Sequence, residues 1–103
     1  LMIRQPDFVD ETLFSEMLAL TKAKKPQPLL DKLRFETIEE GDCIQMVHIG
    51  SYDSEPASFK MMEDFAQAQG VQRLSKIHRE IYLSDFRKVP QEKLKTILRF
   101  QVK

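Results

Sequence analysis

The sequence predicts an α+β fold, an antiparallel sheet with helices on one face, and three observations carry that expectation. Two stretches, residues 10–24 and 55–69, place apolar residues three and four apart, the period of a helix. Others, such as KTILRFQVK, alternate residue by residue, the period of a strand. The order along the chain reads strand, helix, strand, strand, helix, strand, strand, which makes the last four elements a β-α-β-β unit.

Each element has its own signals. Leu1-Met2-Ile3-Arg4-Gln5 reads as the end of a strand, so the 103 residues are expected to be a fragment of a longer protein. Asp10 can cap the first helix, with Glu11 at its positive end. Leu13, Phe14, Met17, Leu18 and Thr21 form its apolar stripe, and Pro26 and Pro28 stop it after Lys22, Lys24 and Lys25. RFETIEE (34–40) reads as a half-buried edge strand and Gly41-Asp42 as a turn. CIQMVHIG (43–50), with little polar surface, reads as a central strand. In SYDSEP, Ser54 is placed to cap the second helix, and Pro56 sits where its missing N–H costs nothing. Ala57, Met61, Met62, Phe65, Ala66 and Ala68 form its apolar face, and Gly70 ends it. HREIYLSD then gives a strand, and residues 95–103 give the last one, with Thr96, Leu98, Phe100 and Val102 on one face.

Composition narrows the function. Hydrophobic residues make up 42% and charged residues 31%, an ordinary globular balance. Lys plus Arg and Asp plus Glu are equal at 16 each, which argues against direct nucleic-acid binding, since that rests on a basic excess. No apolar run is long enough for a membrane span. Cys43, the single cysteine, fits a reducing, cytoplasmic setting and reads as a small core residue. His48 and His78 lack the spacings of a metal site, so no metal and no cofactor are expected.

The stretch HREIYLSD carries the chemistry. As a strand it points Arg79, Ile81 and Leu83 one way, and His78, Glu80, Tyr82 and Ser84 the other. If the second helix covers Ile81 and Leu83, the polar row lies on the opposite face. That row is either a solvated surface, with Glu80 paired to Arg99 for about a few tenths of a kcal/mol, or the floor of a site. In a site, desolvation raises the pKa of Glu80, which then serves as counter-ion for a cation or as a general base. Tyr82 would stack on a flat ligand or donate a proton. The pattern alone leaves both readings open. His48 reads as a satisfied structural histidine beside the Gly50 turn, and Tyr52 as a packed loop anchor.

The run GDCIQMVHIGSYDSEP, a helix, and then HREIYLSDFRKVPQEKLKTILRFQV together resemble the GyrI-like small-molecule-binding domain. This is the effector-binding fold shared with AraC-type and MerR-type multidrug-sensing regulators. The likeness rests on the H-x-G-x-Y pattern of His48, Gly50 and Tyr52, on Glu80 to Asp85, and on Lys93 to Arg99. IRQPDFV and KPQPLLDKLRFE resemble the stand-alone subfamily without DNA-binding helices.

The resemblance implies a pseudo-symmetric pair of β-α-β-β units with the ligand in the groove between them. This chain would be a single domain holding the second unit (43–103) behind a connector strand, helix and edge strand (1–42). Glu80 and Tyr82 match the family's catalytic and ligand-binding residues, with Tyr52 and His48 as further ligand contacts. The implied ligand is hydrophobic, planar or cationic. Some relatives hydrolyse cyclopropane-bearing DNA-alkylating compounds, so detoxification by sequestration or hydrolysis is one expectation. The alternative is an effector-sensing or protein-partner-binding module, as in a transcription regulator or gyrase inhibitor. If the other unit is absent, the exposed sheet edge and groove face would favour a homodimer.

Overall fold

The Asp10 carboxylate accepts the Leu13 N–H at 2.8 Å and starts helix α1, Glu11–Lys24, as its sequence signals require. The computed structural model describes residues 1–103, and the chain divides into two units, Leu1–Ile38 and Glu39–Lys103. In the first unit Leu13, Phe14 and Leu18 of α1 are half-buried, Phe14 stacks on Phe35 at 5.7 Å, and Lys22 pairs with Asp31 at 2.8 Å.

Two expected strands are not formed. Residues 1–5 and 34–40 have no ladder partner. In 34–40, Arg34 pairs with Glu36 at 3.2 Å, the Glu40 carboxylate pairs with Arg99 and Arg79, and the Glu40 backbone carbonyl accepts from the Gln101 side chain.

The second unit holds strand β1 (Cys43–Ile49), helix α2 (Glu55–Ala68), strand β2 (Arg79–Tyr82) and strand β3 (Lys95–Gln101). The fold class is therefore α+β, with a three-stranded antiparallel sheet in the order β1-β3-β2. β3 is the central strand and β1 an edge, which corrects the expectation that residues 43–50 form the centre. β1 is largely apolar, yet Val47 and Ile49 lie exposed on the sheet's open face. Its composition reflects two partly apolar faces, not two neighbouring strands.

Alternation in β3 matches expectation: Thr96, Leu98 and Phe100 are buried on one face. Leu98, Phe100 and Met62 of α2 form the core, with Ile44, Met46, Phe59 and Val102 packed around them. Burying side chains of this size contributes about 1.5–3 kcal/mol each. The stripe that α2 buries is Glu55, Ser58, Met62 and Ala66, while Met61 and Phe65 of the expected apolar face are exposed. Ser54 stands at the N-cap position without a capping bond; its hydroxyl donates to the Ser51 carbonyl at 2.8 Å. Gly70 ends the helix with φ +75°, a left-handed conformation that glycine adopts freely.

The register corrects a second expectation. Glu80 stands opposite Leu98, and Tyr82 opposite Thr96. Directly paired residues share a face, so Glu80 and Tyr82 lie on the face that α2 covers. Ile81 stands opposite Ile97 and Arg79 opposite Arg99, on the open face. Arg99 pairs there with Glu40 at 2.9 Å and with Gln45 at 3.0 Å, not with Glu80. Arg79 reaches the same Glu40 oxygen at 3.3 Å. No helix is long and apolar enough to cross a membrane.

Candidate functional site

Two short antiparallel ladders bring the polar residues under the first turns of α2. His48, Thr96 and Tyr82 form one row across the sheet, and Met46, Leu98 and Glu80 the next. Above them the buried stripe of α2 begins with Glu55 and Ser58. An apolar layer of Leu98, Met62 and Phe59 therefore backs the carboxylates on one side.

Glu80 is held at both oxygens. Oε1 lies 3.0 Å from His78 Nε2, and Oε2 accepts the Tyr82 hydroxyl at 2.8 Å. The His78 contact lowers the carboxyl pKa most, and the Tyr82 bond adds to it; together they outweigh partial burial, which acts the other way. This corrects the expectation that desolvation raises Glu80. The polar partners stand in the sequence row itself, but their convergence on one carboxylate is a property of the folded chain. The same bond keeps Tyr82 protonated: its pKa is pushed up to about 12, chiefly because its hydroxyl donates to Glu80.

Glu55 is the residue that sequence reasoning missed. The sequence shows it only as a residue at the helix start, in the run Ser54-Glu55-Pro56. In the fold it is 6% exposed, and its Oε1 is buried without a hydrogen-bond partner. Burial first, and then the charge of Glu80, raise its pKa, while His48 and His78 act in the opposite direction. A glutamate directly after a helix cap is ordinary in sequence. Only its i, i+3, i+7 spacing with Ser58 and Met62 would have shown it facing the sheet.

His48 is buried and both ring nitrogens are engaged. Nδ1 lies 2.7 Å from the Ser58 hydroxyl, and Nε2 lies 2.9 Å from the Ser51 carbonyl and 3.0 Å from Ser54 Oγ. The carbonyl can only accept, so Nε2 carries a proton toward it. His48 thereby ties the end of β1 to the first turns of α2. Gly50 makes room for this: its φ is +130°, and a Cβ there would meet Ser54 Oγ at 3.2 Å.

Tyr52, in the turn before α2, meets the Tyr82 ring edge-on at 5.8 Å. Both rings are partly exposed. A surface cleft of about 380 Å³ opens beside Tyr52, lined also by Ser51, Asp53, Phe86, Gln91 and Leu94. A second, of about 420 Å³, lies at the far end of α2 around Gly70 and Arg73. Neither is lined by Glu80, so the aromatic pair is the link between the carboxylates and the nearer cleft. The structure thus gathers Glu80, Tyr82 and Tyr52 and adds Glu55 and His78, while His48 supports them from within. Cys43 is half-buried, and its thiol pKa is raised by burial. No group of three or more His, Cys, Asp or Glu side chains is placed to hold a metal ion.

Comparison with known proteins gives a family and a fold. The family profile described as the GyrI-like small molecule binding domain matches residues 2–103. A structure described as a hydrolase from Listeria innocua is similar at 36% identity and a TM-score of 0.89, covering 97% of this chain and 52% of that one. An uncharacterized conserved protein from the same organism is similar at 38% identity and a TM-score of 0.91, covering 97% of this chain and 50% of that one. The chain therefore spans about half the length of the solved structures it matches. No curated protein matches the sequence.

Proposed function

Because the chain belongs to the GyrI-like small-molecule-binding family, we propose that Glu80, Tyr82 and Glu55 are where it takes its ligand, a hydrophobic, planar or cationic compound. The observation that carries this is the unequal pair of carboxyls. Glu80 is held ionised by two donors, and Glu55 is buried beside it with an oxygen left unpartnered. An unpaired buried polar atom costs about 1–3 kcal/mol, so a ligand N–H or O–H that reaches it is favoured. Tyr52 and Tyr82 offer partly exposed ring surface for a flat or cationic group.

The same pair supports hydrolysis as a second step. Two carboxyls whose pKa values are driven apart suit an acid and a base. Glu80 would take a proton from water as its oxygen attacks a strained cyclopropane carbon. The ring C–C bond breaks, and its electron pair moves into a conjugated carbonyl, whose oxygen is protonated by Glu55. Contact between the two carboxyls returns the proton from Glu80 to Glu55. The Tyr82 hydroxyl steadies charge as it develops. The Listeria innocua relative described as a hydrolase lends support.

The test is binding of a planar cationic dye, followed by fluorescence at about pH 7, to the wild type and Glu80→Gln. Losing a charge-assisted contact worth about 1.5–3 kcal/mol weakens binding roughly tenfold or more. Equal affinity in the two proteins would refute the site.

A further inference from the structure

His78 has a geometry that binding by Glu80 alone does not explain. Its Nε2 faces Glu80 Oε1 at 3.0 Å, and its Nδ1 faces the Lys76 carbonyl at 3.4 Å. Both oxygens only accept. A neutral imidazole carries one N–H and would turn a lone pair toward one of them, whereas an imidazolium has a donor for each. The ring is also held in place. It meets Phe59 edge-on at 4.6 Å, and Phe59 is backed by the Arg73 guanidinium at 5.3 Å. The side chain keeps 33% exposure, so it can exchange protons with water.

Carboxyl groups stand close to His78. Glu80 faces it from β2, and Glu55 from α2. Arg73 is the opposing charge. It stands behind Phe59, where it is paired with Glu63 at 2.8 Å and shares the Lys76 carbonyl.

We propose that His78 is a built-in counter-ion of Glu80, so that a ligand cation and the His78 proton compete for one carboxylate. The proposal rests on the ligand reading above and deepens it: protonation of His78 selects between classes of ligand. With His78 charged, Glu80 is already neutralised and the site takes uncharged planar compounds. With His78 neutral, the carboxylate is free for a permanent cation. Cation binding and proton release are thus linked, each favouring the other.

The test uses two probes of one ring system: ethidium, a permanent cation, and phenanthridinone, which is uncharged. For the wild type, ethidium affinity rises about tenfold between roughly pH 5.5 and 8, the range in which histidine titrates, while phenanthridinone affinity stays level. In His78→Gln, which keeps an N–H for Glu80 but no charge, the ethidium rise shrinks to what Glu55 contributes. An undiminished rise in His78→Gln would assign the whole step to Glu55 and overturn the proposal. A second readout needs no ligand. Imidazole nitrogen shifts at about pH 6.5 should show a smaller imidazolium fraction for His78 in Glu80→Gln than in the wild type; an equal fraction also overturns the proposal. If the fraction falls while ethidium binds neither protein at any pH, the ligand reading fails and the counter-ion pair stands.

Discussion

At the scale of residues, the candidate site is one carboxylate held by two donors beside a buried carboxyl, and the two carboxyls respond to pH in opposite senses. Glu80 has its pKa lowered in the fold, so its contribution to stability is present above the ordinary glutamate pKa and lost as pH falls through its lowered value. Glu55 has its pKa raised, so its contribution is present at low pH and lost as pH rises through its raised value. Urea denaturation across about pH 4 to 8 should therefore show stability declining as pH rises above the ordinary glutamate pKa, a decline that Glu55→Gln removes. A decline of the same size in that variant would count against the burial argument. Tyr82 offers an independent check. One of the chain's two tyrosines should ionise only near pH 12, and Tyr82→Phe should abolish that late step in the ultraviolet titration. The residue types of this group were legible, since alternation alone put His78, Glu80 and Tyr82 in one row. Glu55 was not, because its partner in space is 25 residues away in sequence and nothing local distinguishes it from a helix-start acid.

At the scale of elements, the helices and the buried face of β3 were readable from period and caps, whereas strand order was not. β1 looks central because Met46, Val47 and Ile49 crowd it with apolar groups. Its position at the edge is decided by a seven-residue ladder with β3, a long-range pairing that leaves no mark on local composition. The face of β2 was misassigned for a related reason. Ile81 is the natural inward candidate, but register with β3 sends Glu80 inward beside Leu98 and Ile81 outward beside Ile97. The expected strand at 34–40 alternates acceptably but has no neighbour to pair with. Three substitutions probe the elements. Met62→Ala, in the core that holds α2 on the sheet, should cost about 2–5 kcal/mol in urea denaturation. Gly50→Ala should cost about 1–3 kcal/mol, because φ +130° is foreign to alanine and its Cβ would crowd Ser54. Asp10→Ala, which removes the cap of α1, should cost about 1 kcal/mol.

At the scale of the molecule, the Glu39–Lys103 unit assembles the proposed site from three sources: β2 supplies Glu80 and Tyr82, α2 supplies Glu55, and the segment before β2 supplies His78. Apolar core and polar site occupy the same side of the sheet, so the packing that places α2 over Leu98 also presses Glu55 toward Glu80. This coupling explains why a residue pattern that resembles a wet sheet surface becomes a partly desolvated pair. The sequence put Glu80 and Tyr82 in one row, while the sheet geometry had to supply their surroundings. The most direct test is a carbon-13 titration of the glutamate side-chain carboxyls in the intact chain. We expect the Glu80 carboxyl to titrate below the ordinary glutamate range and Glu55 above it, with Glu55 moving back down in Glu80→Gln as the neighbouring charge is removed. Two carboxyls titrating together at the ordinary value, with no response of Glu55 to Glu80→Gln, would contradict the claim that the fold sets them apart.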